Sequence, residues 1–95
     1  MFEMKPAMAV ISKAGRDKGG LFLILRMEGE YAFVADGELR KVDRPKKKKL
    51  KHLQRVDYVS EFVENKLENG LRVTNSEVRR ALGQYRENEG GHNIG

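Results

Sequence analysis

No apolar run in this chain is longer than five residues, and between Ala7 and Leu53 the runs are parted by turn-forming segments. A long helix cannot pass through Ala14-Gly15-Arg16-Asp17-Lys18-Gly19-Gly20, where three glycines in seven residues supply positive φ values that other residues resist. The spacing predicts short strands instead. Ala7 to Lys13 is apolar and extended in character, after a loose lead-in over residues 1–6. Leu21 to Met27 shows little alternation, which predicts burial on most sides. Glu28-Gly29-Glu30 is a tight connection to a strand over Tyr31 to Ala35. Asp36-Gly37 predicts a type I′ hairpin turn, with Glu38 to Val42 returning from it. Arg44 to Lys49 reads as a charged, extended connection, and Leu50 to Leu53 as a fifth strand. Short strands at roughly ten-residue spacing predict a small antiparallel barrel.

The period changes after Asp57. Val59, Phe62, Val63 and Leu67 fall on one face of a helix, with Asp57 as N-cap and Gly70 as the residue just past its end. Thr74-Asn75-Ser76-Glu77 fits a capping box. Val78, Ala81, Leu82 and Tyr85 then mark a second amphipathic helix. Glu87 to Gly95 has three glycines and little to bury, which predicts a disordered tail.

Charge separates the same two parts. Residues 1–57 carry fourteen basic and eight acidic side chains, whereas residues 58–95 carry five and six. Arg40 to Arg55 alone holds nine basic residues against Asp43, a net of +8 in sixteen positions. Such asymmetry predicts a polyanionic partner for the first part and a different task for the second. The absence of cysteine excludes disulfides and thiolate metal sites. No run approaches the ~20 apolar residues of a membrane span, and Ala7 to Ile11 is too short for a secretory signal. The expectation is a soluble cytoplasmic protein with no membrane partner.

No constellation suggests catalysis. His52 and His92 lie forty residues apart, with no metal-ligand spacing around either. Ser12, Ser60 and Ser76 have no nucleophile-elbow setting. Gly15 to Gly20 is not part of a Gly-x-x-x-x-Gly-Lys-Ser/Thr phosphate-loop string, and a strand pattern rather than a helix follows it. The expectation is a protein that is not an enzyme, with no cofactor, no metal and no small-molecule substrate. The basic segment is the strongest feature. In extended geometry Lys46 to Lys49 covers roughly 12 Å, the span of a few backbone phosphates, whose contacts release counterions. A solvated charged loop would look the same. In a small barrel, loops converge at one rim, which would bring Arg16 and Lys18 to the lysine run. Tyr31 and Phe33 are the only aromatics near this face, so base stacking is a secondary expectation.

Ser12-Lys13-Ala14-Gly15-Arg16-Asp17-Lys18-Gly19 resembles the heart of the KOW motif, a strand–loop–strand unit of large-subunit ribosomal proteins and transcription elongation factors. Ala35-Asp36-Gly37-Glu38-Leu39-Arg40-Lys41-Val42, followed by Pro45 to Leu53, is similar to short bacterial KOW-domain RNA-binding proteins. These are in turn similar to ribosomal proteins of archaea and eukaryotes. The likeness covers about residues 7–87, including Leu67-Glu68-Asn69-Gly70. It implies an SH3-like barrel, with Gly19 at the characteristic glycine position and Arg16 and Lys18 as RNA-facing loop cations. Ala7 departs from the pattern, which has glycine before the first strand.

The combined expectation is an α+β protein. A five-stranded SH3-like barrel spans 7–54, a helical pair packed on it spans 57–87, and a disordered tail spans 88–95. Phe62, Val63, Leu67, Val78, Leu82 and Tyr85 would dock the helices. The barrel would bind structured RNA, as in the ribosome or its assembly intermediates, through Lys13, Arg16, Lys18, Arg40, Lys41, Arg44, Lys46, Lys47, Lys48, Lys49, Lys51 and His52. Gly15, Gly19 and Gly37 would shape the turns. The alternative is a protein-interaction adaptor of the transcription or translation machinery, with a protein partner on the helical pair.

Overall fold

The computed structural model describes residues 3–94, with side chains through Asn88. Five antiparallel strands form one sheet: β1 (Met8–Ser12), β2 (Leu21–Glu28), β3 (Tyr31–Ala35), β4 (Lys46–Lys49) and β5 (Leu53–Val59). Two helices follow, α1 (Glu61–Glu68) and α2 (Asn75–Ile94). The α+β class and the strand number agree with the sequence pattern. The strand order is β4-β3-β2-β1-β5, so β4 and β5 are edges and the sheet is not closed into a barrel.

The sheet nevertheless bends back on itself. A single 3-10 turn, Leu50–His52, links the two edge strands. The Leu50 amide donates to Glu30 O, just past the end of β2, at 2.9 Å. The Lys13 amide, at the end of β1 that pairs with the start of β2, donates to His52 O at 2.7 Å. Leu50 and His52 are only two Cα steps apart, at most ~7.6 Å. A straight eight-residue strand would hold those two anchor points roughly 23 Å apart. The register shifts between Ile24 and Arg26, and between Met8 and Val10, supply irregularities at which strands bend.

This curl explains why Leu21 to Leu25 lacks alternation. Phe22 and Ile24 pack inside it with Met8, Val10, Ala32, Val34 and Leu53. Leu23 lies on the other face with Ala7 and Ala9, against Val63, Val78, Ala81 and Leu82 of the helices. The central strand therefore serves two cores. Tyr58 of β5 and Tyr85 of α2 add a tilted ring contact at 5.6 Å.

Several boundaries differ from the sequence expectation, each for a local reason. Asp36-Gly37 makes no hairpin, and 38–42 is no strand. Asp36 Oδ1 accepts the Glu38 and Arg40 amides at 2.8 Å each, taking donors that a ladder would need. Only Gly37 of the pair has positive φ, whereas a type I′ turn needs both. The free side of β3 is filled instead by the lysine run, whose backbone pairs Lys46 to Lys49 with Val34 to Tyr31. Lysines on an edge strand also oppose further pairing. Leu50 to His52 forms the 3-10 turn rather than a strand, and β5 runs on through Val59. Asp57 is therefore on β5 at φ +55 and caps nothing. Ser60 takes the N-cap position of α1, and its buried hydroxyl makes no hydrogen bond.

The later signals are realised. The Gly70 amide donates to Leu67 O and the Leu71 amide to Lys66 O, a Schellman ending with Gly70 at φ +68. Thr74 and Glu77 exchange capping bonds at 2.9 and 3.2 Å. Helix α2 continues to Ile94, where a disordered tail is expected from 88. An established helix gains a hydrogen bond with each added residue and needs no apolar side chain to extend. Gly95, and Met1 and Phe2 of the lead-in, lie outside the described residues. No described helix is long and apolar enough to cross a membrane.

Candidate nucleic-acid interface

Side chains alternate across a strand, and this divides the lysine run. Lys47 and Lys49 pair with Phe33 and Tyr31 on the outer face of the sheet, while Lys46 and Lys48 share the opposite face with Val34 and Ala32. Lys48 is buried. Its Nζ donates to Ala14 O at 3.3 Å and pairs with Asp17 Oδ2 at 3.5 Å. Arg40 Nη2 donates to both oxygens of the same carboxylate, at 3.3 and 3.2 Å. Lys48 and Arg40, expected at the RNA surface, instead hold the 14–20 loop, Lys48 against β4 and Arg40 against the 36–44 loop. The cause is Asp17, a largely buried carboxylate that requires cationic partners.

The same arrangement displays the residues on either side of Asp17. Arg16 and Lys18 are exposed, as are Lys13 and the loop glycines Gly15 and Gly19, at φ +77 and +88. Lys41 and Arg44 are exposed on the 36–44 loop, Lys46, Lys47 and Lys49 on β4, and Lys51 on the 3-10 turn, where His52 is half-buried. Among the described residues, no carboxylate lies within ion-pairing distance of Lys13, Arg16, Lys18, Lys41, Arg44, Lys46, Lys49 or Lys51. The third expected turn glycine, Gly37, is buried under the first turn of α2.

One basic residue outside the sequence expectation joins the outer face. Arg26 pairs with Phe33 across β2 and β3, its guanidinium carbon 3.8 Å from the ring centroid. Lys47 Nζ stands 4.4 Å over the Tyr31 ring and 5.9 Å from that of Phe33. The register shift after Ile24 sets this alignment, and nothing in the sequence period signals it.

Burial would raise the Asp17 carboxyl, but the Arg40 hydrogen bond and charge and the Lys48 ammonium outweigh it and hold the carboxyl below its ordinary value. A depressed folded value means stability that is complete above the unfolded carboxyl value of ~3.9 and lost as pH falls through the folded one. Glu77, lowered by Lys66 and the Thr74 amide, titrates in the same direction. The Asp17→Asn variant should therefore show a shallower loss of stability below about pH 4 than the parent. Denaturant midpoints measured from pH 6 down to pH 2 check this, and parallel acid limbs would contradict the assignment.

A scan against protein-family models finds no match to this chain, and a search of curated proteins finds none either.

Proposed function

We propose that this protein binds RNA through phosphate contacts made by its exposed cations, with structured ribosomal RNA or a ribosome-assembly intermediate as the target class. The observation that carries the reading is the set of exposed cations on loop 14–20, β4 and the 3-10 turn without carboxylate partners. A surface of that kind gains from releasing the counterions of a polyanion. The KOW-like string Ser12 to Gly19 supports the same reading, and with it an SH3-like relationship for the curled sheet. On this reading the protein acts in the cytoplasm, needs no cofactor and is not an enzyme.

A salt titration of binding to ribosomal RNA fragments, followed by fluorescence anisotropy, tests it. Changing Lys46, Lys47 and Lys49 together to Gln should weaken binding and make the plot of log K against log salt shallower. Each phosphate left without its cation takes ~0.7–0.9 from the slope, so three of them take roughly 2.1–2.7. Lys48→Gln should behave differently: it should cost ~1–2 kcal/mol of stability, because it strips one partner from a largely buried carboxylate, and leave the slope unchanged. An unchanged slope in the triple variant would reduce the run to a solvated edge. The exposed apolar side chains Leu39 and Leu71 would then favour the protein-adaptor reading.

A further inference from the structure

We infer that the outer face of β2, β3 and β4 is a nucleic-acid subsite that takes an unpaired, extended RNA segment by stacking and shares Lys47 and Lys49 with the phosphate-binding surface. This rests on the RNA-binding reading and deepens it. Strand pairing sets two rows across the face, Arg26–Phe33–Lys47 and Glu28–Tyr31–Lys49. Phe33 and Tyr31 are partly exposed rings, and cations overlie both. Three cations face one carboxylate, Glu28, which sits 3.7 Å from Arg26 in a pair whose side chains are 58% and 61% exposed. A pair so open to water holds Arg26 weakly, leaving its guanidinium available to a phosphate or a base.

The geometry selects the form of the ligand. Tyr31 and Phe33 are two residues apart on one strand, hence about 6.7 Å along it. That is twice the ~3.4 Å rise per nucleotide of a stacked helix. One base at each position, on the outer plane of the Arg26 guanidinium above Phe33 and on Tyr31 as the Lys47 ammonium moves to a phosphate, therefore demands a strand extended out of helical stacking. Duplex RNA hides its base faces and is recognised by shape and phosphates. A ring and a guanidinium plane both offer a stacking surface to any base, which predicts little sequence preference. Lys47 and Lys49 lie on the same face and supply phosphate contacts beside the rings.

The test compares two labelled probes by anisotropy, a ten-nucleotide single strand and a blunt RNA hairpin whose stem is closed by a non-nucleotide linker, so that it has no unpaired base. The variants are Tyr31→Leu/Phe33→Leu, which keeps apolar cover over the sheet and removes no charge, and Arg16→Gln/Lys18→Gln in the loop. The Leu variant should lose about tenfold to a hundredfold in single-strand affinity. Its salt slope should stay the same and its hairpin affinity should be unaffected, with thermal unfolding confirming that it folds. The loop variant should lose hairpin affinity with a shallower slope. Equal single-strand binding by the Leu variant and the parent would overturn the subsite, and so would a parent that binds only the hairpin. A parent that binds neither probe would overturn the RNA-binding reading itself. If the Leu variant does not fold, Arg26→Gln alone should still lower single-strand affinity several-fold, and no loss there would also count against the subsite.

Discussion

Gly37→Ala should unfold roughly 15–20 °C below the parent, while Gly19→Ala, with the same backbone requirement, should lose far less. Both glycines have positive φ, +80 and +88. Placing an L-residue in that region costs ~1–2 kcal/mol wherever it occurs. The surroundings separate them. A Cβ at Gly19 would meet nothing within 4 Å. A Cβ at Gly37 would lie 2.5 Å from Asn75 O and 2.9 Å from Arg79 Cγ, at the first turn of α2. Backbone there cannot yield without moving the helix. Two hydrogen bonds would move with it: Arg79 Nη1 to Gly37 O at 2.6 Å, and the Val42 amide to Asn75 Oδ1 at 2.8 Å. At ~1 kcal/mol each, added to the backbone term, the total is about 3–4 kcal/mol. For a domain of this size each kcal/mol shifts melting by ~4–8 °C. Calorimetry of the two variants decides it, and equal melting temperatures would mean that the 36–44 loop does not seat the helix.

That docking role shows which parts of the fold are legible in sequence. Local chemistry reads well: Thr74 and Glu77 cap a helix with their own side chains, Gly70 ends one, and Gly29-Glu30 turns between adjacent strands. Each signal is complete within a few residues. Misreadings arise where a distant partner decides. Asp36-Gly37 looks like a hairpin because the pair alone cannot reveal that Asp36 will bind the Glu38 and Arg40 amides or that α2 will close over Gly37. Lys46 to Lys49 looks like a solvated connection because lysine favours neither a strand nor a core, yet the unfilled edge of β3 draws it into the sheet. The candidate site follows the same rule. Exposed Arg16 and Lys18 are legible from their loop. Burial of Lys48, the Asp17 contacts of Arg40 and the alignment of Arg26 with Phe33 depend on strand register and are not.

Leu82→Ala should cost ~3–4 kcal/mol, and Leu67→Ala only ~1–2. The sequence pattern places both on apolar helix faces and treats them alike. Leu82 is 1% exposed and packs in the cluster that joins the sheet to both helices. Its truncation leaves a cavity that the surrounding Leu23, Val63 and Val78 cannot readily fill, the situation in which leucine-to-alanine changes cost ~2.7–5 kcal/mol. Leu67 is only partly buried at the margin of that cluster, so solvent and neighbouring side chains take up part of the loss. The ratio matters more than either value. Helices that dock on the sheet make Leu82 a core residue of the whole domain, so its removal shifts a single cooperative transition seen by every probe. Helices held apart from the sheet would leave the transition of the strands in place, and tyrosine fluorescence and far-ultraviolet circular dichroism would separate. Urea unfolding of both variants, followed by the two signals together, should give coincident curves with the larger midpoint shift for Leu82→Ala. Curves that overlay the parent would remove the helical pair from the structural core and return it to the role of a free docking element.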